Sequence, residues 1–122
     1  MSNLDLYNVQ FIVKNIHGGI KSIKTINPSL SGYILSRRSI YRVNLLLDHL
    51  SEIVNGQKPS TEGFTQKNYY IITTQLQVKI YADGDAWFDN PNIQPDFVLP
   101  TMDFKVIIEA WRIGRSSNSK HP

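Results

Sequence analysis

The chain has 122 residues, of which 41% are hydrophobic and 19% are charged. This is the length of one domain, and the balance is that of a chain that folds around an apolar core, which excludes an intrinsically disordered protein. No residue is a cysteine, so disulfides, cysteine-ligated zinc and thiol nucleophiles are excluded as well. We expect one domain over residues 1–114 and a flexible tail over residues 115–122.

The start of the chain, Met1 to Asp5, carries an acid and no basic region followed by an apolar stretch, which is unlike a secretory signal. The longest apolar cluster, Val43–Leu47, is far too short to span a bilayer. We therefore expect a cytoplasmic protein that does not enter a membrane.

The formal net charge of +3 is unevenly distributed along the chain. Residues 1–81 sum to +5, residues 82–109 to −5 and residues 110–122 to +3. Such a chain is able to present one basic and one acidic surface, and an acidic surface is complementary to a basic partner.

The first predicted element is a strand over residues 6–13, where Val9, Phe11 and Val13 recur at every second position. A glycine-containing turn over residues 15–19 and a second strand over residues 20–26 would complete a hairpin. Asn27-Pro28 is expected to end that strand, because proline lacks the N–H that a sheet needs.

The clearest helix extends over residues 39–54, where apolar side chains recur every three or four positions from Ile40 to Val54. Asn55-Gly56 is a typical helix end. The N-cap stays open among four residues, because serine is a favourable cap at each of them: Ser29, Ser31, Ser36 and Ser39.

A polar loop is predicted over residues 57–63, followed by residues 69–81, whose aromatic and β-branched side chains favour one long or two short strands. The run Ala82-Asp83-Gly84-Asp85 is a strong hairpin signal. A strand over residues 86–88 should then pair back across that turn.

The last predicted helix begins at Pro100-Thr101, with Thr101 as its N-cap and Asp103 near the positive end of the helix dipole. Gly114 is expected to end it. Its apolar stripe has the spacing i, i+3, i+4 and i+7 and consists of Phe104, Ile107, Ile108 and Trp111. Strand, strand, helix, strands and helix is an order typical of the α+β class, in which two helices cover one face of a largely antiparallel sheet.

No motif has the spacing of a catalytic or metal site. The acids near residue 85 lack the ligand ladder and the distal glutamate of a calcium-binding loop. His17-Gly18-Gly19 has no Gly-x-Ser-x-Gly motif to act with, and His49 lies in a predicted helix. We expect no enzyme, no metal and no cofactor, and a small hydrolase using His17 or His49 is only a third alternative.

Two surfaces are candidates for binding a macromolecule. Arginines gather at the start of the first predicted helix, and with a nearby lysine they would contact phosphates, which predicts a small basic nucleic-acid-binding module. The residues of this alternative face are Lys21, Lys24, Arg37, Arg38 and Arg42.

The other candidate surface is the acidic segment after residue 80. Most aromatic side chains of this region are expected in the core, but an aromatic residue exposed among charges is typical of a protein-binding hot spot. The predicted partner-binding residues are Tyr81, Asp83, Asp85, Trp87, Asp89 and Asp96.

The run from Tyr81 to Trp111 combines an acidic hairpin carrying Trp87-Phe88, the motif Pro95-Asp96-Phe97, and Pro100-Thr101 leading into a helix. In this quarter of its length the chain resembles small immunity proteins of bacterial polymorphic-toxin and contact-dependent growth inhibition systems. The resemblance implies a protein that neutralises a cognate toxin domain, often a nuclease, by binding it directly. It implies no particular contact residues, because these vary widely among such proteins.

Overall fold

The computed structural model describes residues 3–13, 20–36, 40–65 and 67–119. Helices and antiparallel sheets make up these ranges, which confirms the predicted α+β class. None of the helices described is both long and apolar enough to cross a membrane. The elements in chain order are α1 (Asn3–Leu6), β1 (Gln10–Val13), β2 (Ile20–Lys24), α2 (Pro28–Ser36), α3 (Ile40–Val54), β3 (Ser60–Phe64), β4 (Tyr70–Thr74), β5 (Gln77–Tyr81), α4 (Gly84–Asp89), β6 (Phe97–Pro100) and α5 (Thr101–Ser119).

The strands form two sheets. β1 and β2 pair antiparallel, as predicted, while the turn expected between them lies outside the described residues. The larger sheet has the order β3-β4-β5-β6, and each neighbouring pair is antiparallel. Strands that are consecutive in sequence are therefore neighbours in space throughout this sheet.

The core lies between one face of the larger sheet and the helices α2, α3 and α5, so three helices pack there where two were predicted. The inner face of the sheet contributes alternate residues of its strands, because successive side chains of a strand point to opposite faces. They are Ile71, Val78, Ile80 and Leu99. The predicted stripe of α5, from Phe104 to Trp111, is fully buried against them.

β1 begins at Gln10 and not at Leu6. Residues 3–6 form α1, and Asn8 has a φ of 51°, a left-handed conformation that asparagine tolerates better than most residues. Tyr7 between them is buried, and its hydroxyl donates a 2.6 Å hydrogen bond to Oδ2 of Asp103. This long-range contact overrides the strand pattern of residues 6–9.

α2 is a helix that the sequence pattern did not predict. Oδ1 of Asn27 accepts hydrogen bonds from the N–H groups of Ser29 (2.8 Å) and Leu30 (3.2 Å), which makes Asn27 its N-cap. Pro28 occupies the first helical position, where its missing N–H costs nothing. The pair that was expected to end a strand therefore begins a helix.

α3 matches the helix predicted over residues 39–54, and Gly56 with a φ of 78° follows its end as expected. Ser39, one of the four candidate caps, lies outside the described residues. Residues 60–63, predicted as part of a loop, form the edge strand β3 together with Phe64, and exposed and half-buried side chains alternate along it. Most of these side chains are polar, so the alternation does not appear in the hydrophobic pattern of the sequence.

The predicted hairpin over residues 82–88 is wrong. Residues 84–89 form helix α4, and the next strand in the chain, which pairs with β5, is β6. Asp83 and Gly84 begin a helix instead of a two-residue turn, because the Asp83 carboxylate binds the N–H of Ala86 three residues later.

α5 begins at Thr101, but the hydroxyl of Thr101 donates to the carbonyl of Thr74 (2.7 Å) and does not cap the helix. Asp103 lies in the first turn as predicted. The helix continues through Gly114, because a glycine costs a helix interior only about 1 kcal/mol. Residues 115–119, predicted to belong to a flexible tail, are therefore helical.

Candidate functional site

The acidic segment is organised by α4, a six-residue helix that connects β5 to β6. Oδ1 of Asp83 accepts one hydrogen bond from the N–H of Ala86 and a second from Nδ2 of Asn68, both at 3.1 Å. The N–H of Gly84 donates to the carbonyl of Asn68 (2.7 Å). These bonds attach the start of α4 to the turn between β3 and β4.

The inner side of α4 covers aromatic side chains on the outer face of the larger sheet. Trp87 stacks on Tyr70, with ring centroids 3.7 Å apart and planes 16° apart. Phe64 contacts Tyr70 at 4.6 Å and Trp87 at 6.2 Å between centroids, and Tyr81 lies 6.3 Å from Trp87. We call Phe64, Tyr70, Tyr81 and Trp87 the aromatic cluster. Such stacked and edge-on pairs stabilise one another beyond their buried area.

A glycine is required where α4 meets this cluster. A Cβ atom added to Gly84 would lie 2.6 Å from a ring carbon of Phe64 and 2.9 Å from the carbonyl oxygen of Asn68. No Cβ atom tolerates such distances. Gly84 therefore allows the helix to lie directly on β3.

Burial shifts the ionisation of the cluster's two central phenols. Desolvation, with a smaller contribution from a hydrogen bond to the Glu62 carboxylate, raises the pKa of Tyr70 to about 12. Burial also raises the pKa of Tyr81. Both side chains stay neutral hydrogen-bond donors at physiological pH. The aromatic cluster beneath the helix therefore carries no charge.

The outer side of α4 presents one aromatic ring and two carboxylates on the same helix face. Asp85, Phe88 and Asp89 have the spacing i, i+3 and i+4, which places them on one helix face. Phe88 is 70% exposed. Within the described part of the chain, the carboxylates of Asp85 and Asp89 have no hydrogen-bond or salt-bridge partner. We call these three residues the α4 surface.

The structure separates the six predicted partner-binding residues into two groups. Asp85 and Asp89 face solvent, and Trp87 is half-buried beneath them. Tyr81 is buried, Asp83 caps α4, and Oδ2 of Asp96 accepts a 2.7 Å hydrogen bond from the N–H of Ala82. The second group is therefore occupied in holding the loop and helix in place.

Phe88 is the residue that sequence reasoning missed, because it was expected in the core with Trp87. In a strand the two neighbours would have pointed to opposite faces, and in a helix they lie about 100° apart, which lets one stack inward while the other projects outward. The acid in the first turn, Asp85, after the capping residue Asp83 was the available signal for a helix.

The alternative basic face is described only in part. Arg37, Arg38 and the side chain of Lys21 lie outside the described residues. Lys24 is exposed on β2 and Arg42 is exposed on α3. This face stays a prediction.

The histidines and acids do not form a recognisable reactive centre in the part of the chain that is described. His17 lies outside that part, and His49 is exposed on α3, where its Nδ1 lies 3.0 Å from Nζ of Lys58. No three histidine, aspartate or glutamate side chains of the described residues are grouped so as to hold a metal ion.

No family model, no curated protein and no solved structure matches this chain.

Proposed function

We propose that this chain is a cytoplasmic binding protein that neutralises a cognate toxin domain by direct occlusion, and that it uses the α4 surface to do so. The observation that carries the proposal is the exposed ring of Phe88, which shares one helix face with Asp85 and Asp89 on a short, firmly anchored helix.

Phe88 has the properties of an interface anchor. Burying a large apolar side chain against a partner contributes about 1.5–3 kcal/mol. The ring is carried by a helix whose inner side is stacked on Tyr70, so little conformational freedom of the backbone is lost on binding. An aromatic centre with a charged rim is the arrangement of protein-binding hot spots.

The charge of the surface favours a basic partner. Asp85 and Asp89 are exposed carboxylates, and Asp83 and Asp96 lie at the same end of the sheet. A toxin domain that acts on nucleic acid needs a cationic surface to hold phosphates. An acidic helix seated on that surface would exclude the substrate by occupying its place.

The resemblance to immunity proteins supplies the partner class. Its hairpin element is corrected by the structure, since Trp87-Phe88 lies in α4, but Pro100-Thr101 does lead directly from β6 into α5. The partner class thus depends on the resemblance, while the proposed contact surface depends on the geometry of α4.

The test is a co-expression and affinity experiment. A candidate toxin domain, the one encoded by the gene immediately upstream, is produced alone, with the wild-type chain, or with an Asp85→Ala/Phe88→Ala/Asp89→Ala variant. We expect the wild type to restore growth and the variant to bind about 100-fold more weakly, because it lacks the anchor and both rim charges. Asp83 is left intact, since its carboxylate caps α4.

The matched control is Asp48→Ala/Leu76→Ala, which removes an exposed acid and an exposed apolar residue elsewhere on the molecule. It should bind as the wild type does. Equal binding by the α4 variant would remove this surface from the proposal, and a failure of the wild type to bind the domain would overturn the toxin partner. Salt-sensitive binding of oligonucleotides in place of the domain would favour the basic face of Lys24 and Arg42.

A further inference from the structure

β3 is an open edge of the larger sheet. It is the terminal strand in the order β3-β4-β5-β6, and its five residues pair with β4 in an unbroken register. Natural edge strands are usually blocked by proline, by charged side chains, above all lysine, or by a bulge, and the one charged residue of β3 is Glu62. The other edge, β6, ends in Pro100, whereas β3 contains neither proline nor lysine.

The register shows which backbone groups of β3 point outward. The N–H of Thr65 donates to the carbonyl of Tyr69 (2.8 Å), so hydrogen-bonded pairs with β4 recur at Gly63 and Thr61. The intervening residues Glu62 and Phe64 therefore direct their N–H and C=O groups away from β4. No other strand of the described residues pairs with them.

A groove runs beside this edge on the inner face of the sheet. Its volume is about 350 Å³. One wall is α3, which contributes a stripe at i, i+3, i+4 and i+7: Arg42, Leu45, Leu46 and His49. The other wall includes Thr61 and Gly63 of β3, and a Cβ atom added to Gly63 would meet nothing within 4 Å.

We propose that β3 accepts an extended segment of a partner protein, which adds a fifth strand to the sheet and directs apolar side chains into the groove. Main-chain hydrogen bonds to Glu62 and Phe64 would provide affinity, as in other cases of strand addition. Side chains opposite Thr61 and Gly63 enter the groove, because directly opposed residues share a face of the sheet. The groove is lined in part by the apolar side chains of Leu45, Leu46 and Ile71.

The charge on β3 favours a segment of another protein over a second copy of this chain as the strand that pairs with it. Glu62 is the central residue of the strand and is exposed on its outer face. A symmetric pairing of two copies in full register would place the two Glu62 carboxylates opposite each other, and like charges directly opposed are destabilising. A segment with lysine or arginine at that position is complementary. The segment that fits is therefore apolar and basic at alternate positions.

This proposal goes beyond the α4 surface and does not require that the partner be a toxin. Its test uses a phage-displayed library of random peptides of about ten residues, the length of a long strand, selected on the wild-type chain. We expect enriched peptides to carry apolar residues two positions apart with a basic residue between them. Absence of enrichment, or enriched peptides without this alternation, would overturn the proposal.

Variants then locate the bound peptide. Glu62→Pro removes an outward N–H that the sheet does not use, and Glu62→Ala removes the carboxylate alone. We expect the proline variant to bind the selected peptide about tenfold more weakly than the alanine variant. Gly63→Val fills the groove and should weaken binding similarly, while Ser60→Val, on the outer face of the same strand, should not. Equal affinities for all four variants would contradict strand addition.

Amide hydrogen exchange gives the direct readout. In the free chain the amides of Glu62 and Phe64 should exchange fast and those of Thr61 and Gly63 slowly, and bound peptide should slow the first pair about tenfold. Slowing elsewhere with no change at Glu62 and Phe64 would reject the edge as the site. A dimer that Glu62→Pro dissociates would assign the edge to a second copy of the chain instead.

Discussion

Tyr70 contacts both α4 and β3, the two elements that carry the proposed binding surfaces. Its ring stacks on Trp87 of α4 and contacts Phe64 of the edge strand, and its hydroxyl is hydrogen-bonded to Glu62. The phenol is buried, and its pKa is about 12 instead of the usual 10. Ionisation would place a charge inside the aromatic cluster, so the neutral phenol is part of what holds α4 on the sheet.

The raised pKa of Tyr70 predicts a loss of stability in alkaline solution. Below pH 10 the phenol is protonated in both the folded and the unfolded chain, and its contribution to the free energy of unfolding is fully present. Between pH 10 and about pH 12 the unfolded chain releases the proton while the folded chain keeps it, so stability falls as the pH rises. Urea unfolding at stepped pH measures this fall.

Tyr70→Phe is the matched variant, since it keeps the ring and removes the titrating group. It should be about 1 kcal/mol less stable below pH 10, because the bond to Glu62 is lost. Its stability should fall less than that of the wild type from pH 10 to pH 12. Parallel curves for the two proteins would mean that Tyr70 ionises equally in the folded and unfolded states.

At the scale of elements, α4 depends on its surroundings for its existence. Six residues are far fewer than an isolated helix needs in water. Its start is held by the Asp83 carboxylate and its inner side by the Trp87 ring. The position of Phe88, and with it the proposed contact surface, follows from these two attachments.

Replacing the cap tests this dependence. Asp83→Ala should lower the free energy of unfolding by about 1 kcal/mol, because the N–H of Ala86 loses its partner. Asp83→Asn should be nearly neutral, since asparagine is an equally good cap. Asp85→Ala, an exposed neighbour, should change stability by no more than about 0.5 kcal/mol. Chemical unfolding followed by tryptophan fluorescence compares the three, and equal losses for Asp83→Ala and Asp83→Asn would show that charge, not capping, matters.

The elements that could be predicted from sequence are those with a long hydrophobic period. α3 and α5 show apolar stripes over several turns, and β4 and β5 are rich in β-branched and aromatic residues. α2 and α4 are short, and each begins with a pair of residues that is compatible with two local structures. Asn27-Pro28 ends a strand or caps a helix, and Asp83-Gly84 turns a hairpin or starts a helix. Only contacts with residues distant in sequence determine which of the two structures forms.

The candidate site was predictable to the same extent. Its acidic character follows from local composition, and Asp85 and Asp89 are exposed as a charged surface requires. The positions of Phe88 and of the edge strand follow from tertiary contacts. Local composition does not reveal them, because the same few residues are able to form either a short strand or a short helix. β3 in particular, with the sequence Ser-Thr-Glu-Gly-Phe, lacks the apolar alternation that marks a half-buried strand.

At the scale of the whole molecule, α5 joins the two sheets. Its side chains pack on β5 and β6 of the larger sheet and on β2 of the smaller one. The fully buried ring of Trp111 is stacked near Phe11 of β1, with centroids 6.4 Å apart and planes 24° apart. An isolated two-stranded sheet is only marginally stable in water. We therefore expect the smaller sheet, which also packs on α2, to depend on Trp111 more than the larger one does.

Trp111→Ala should lower the free energy of unfolding by about 3–5 kcal/mol, the usual cost of removing a large buried aromatic side chain. In amide hydrogen exchange the smaller sheet, with Ile23 as its reporter, should lose protection more than Ile71 and Ile80 of the larger sheet. Trp111→Phe serves if the alanine variant does not fold, and Met102→Ala, exposed on the same helix, is the control and should stay within about 0.5 kcal/mol of the wild type. Equal loss of protection in both sheets would mean that the domain opens as one cooperative unit, with no special dependence of the smaller sheet on α5.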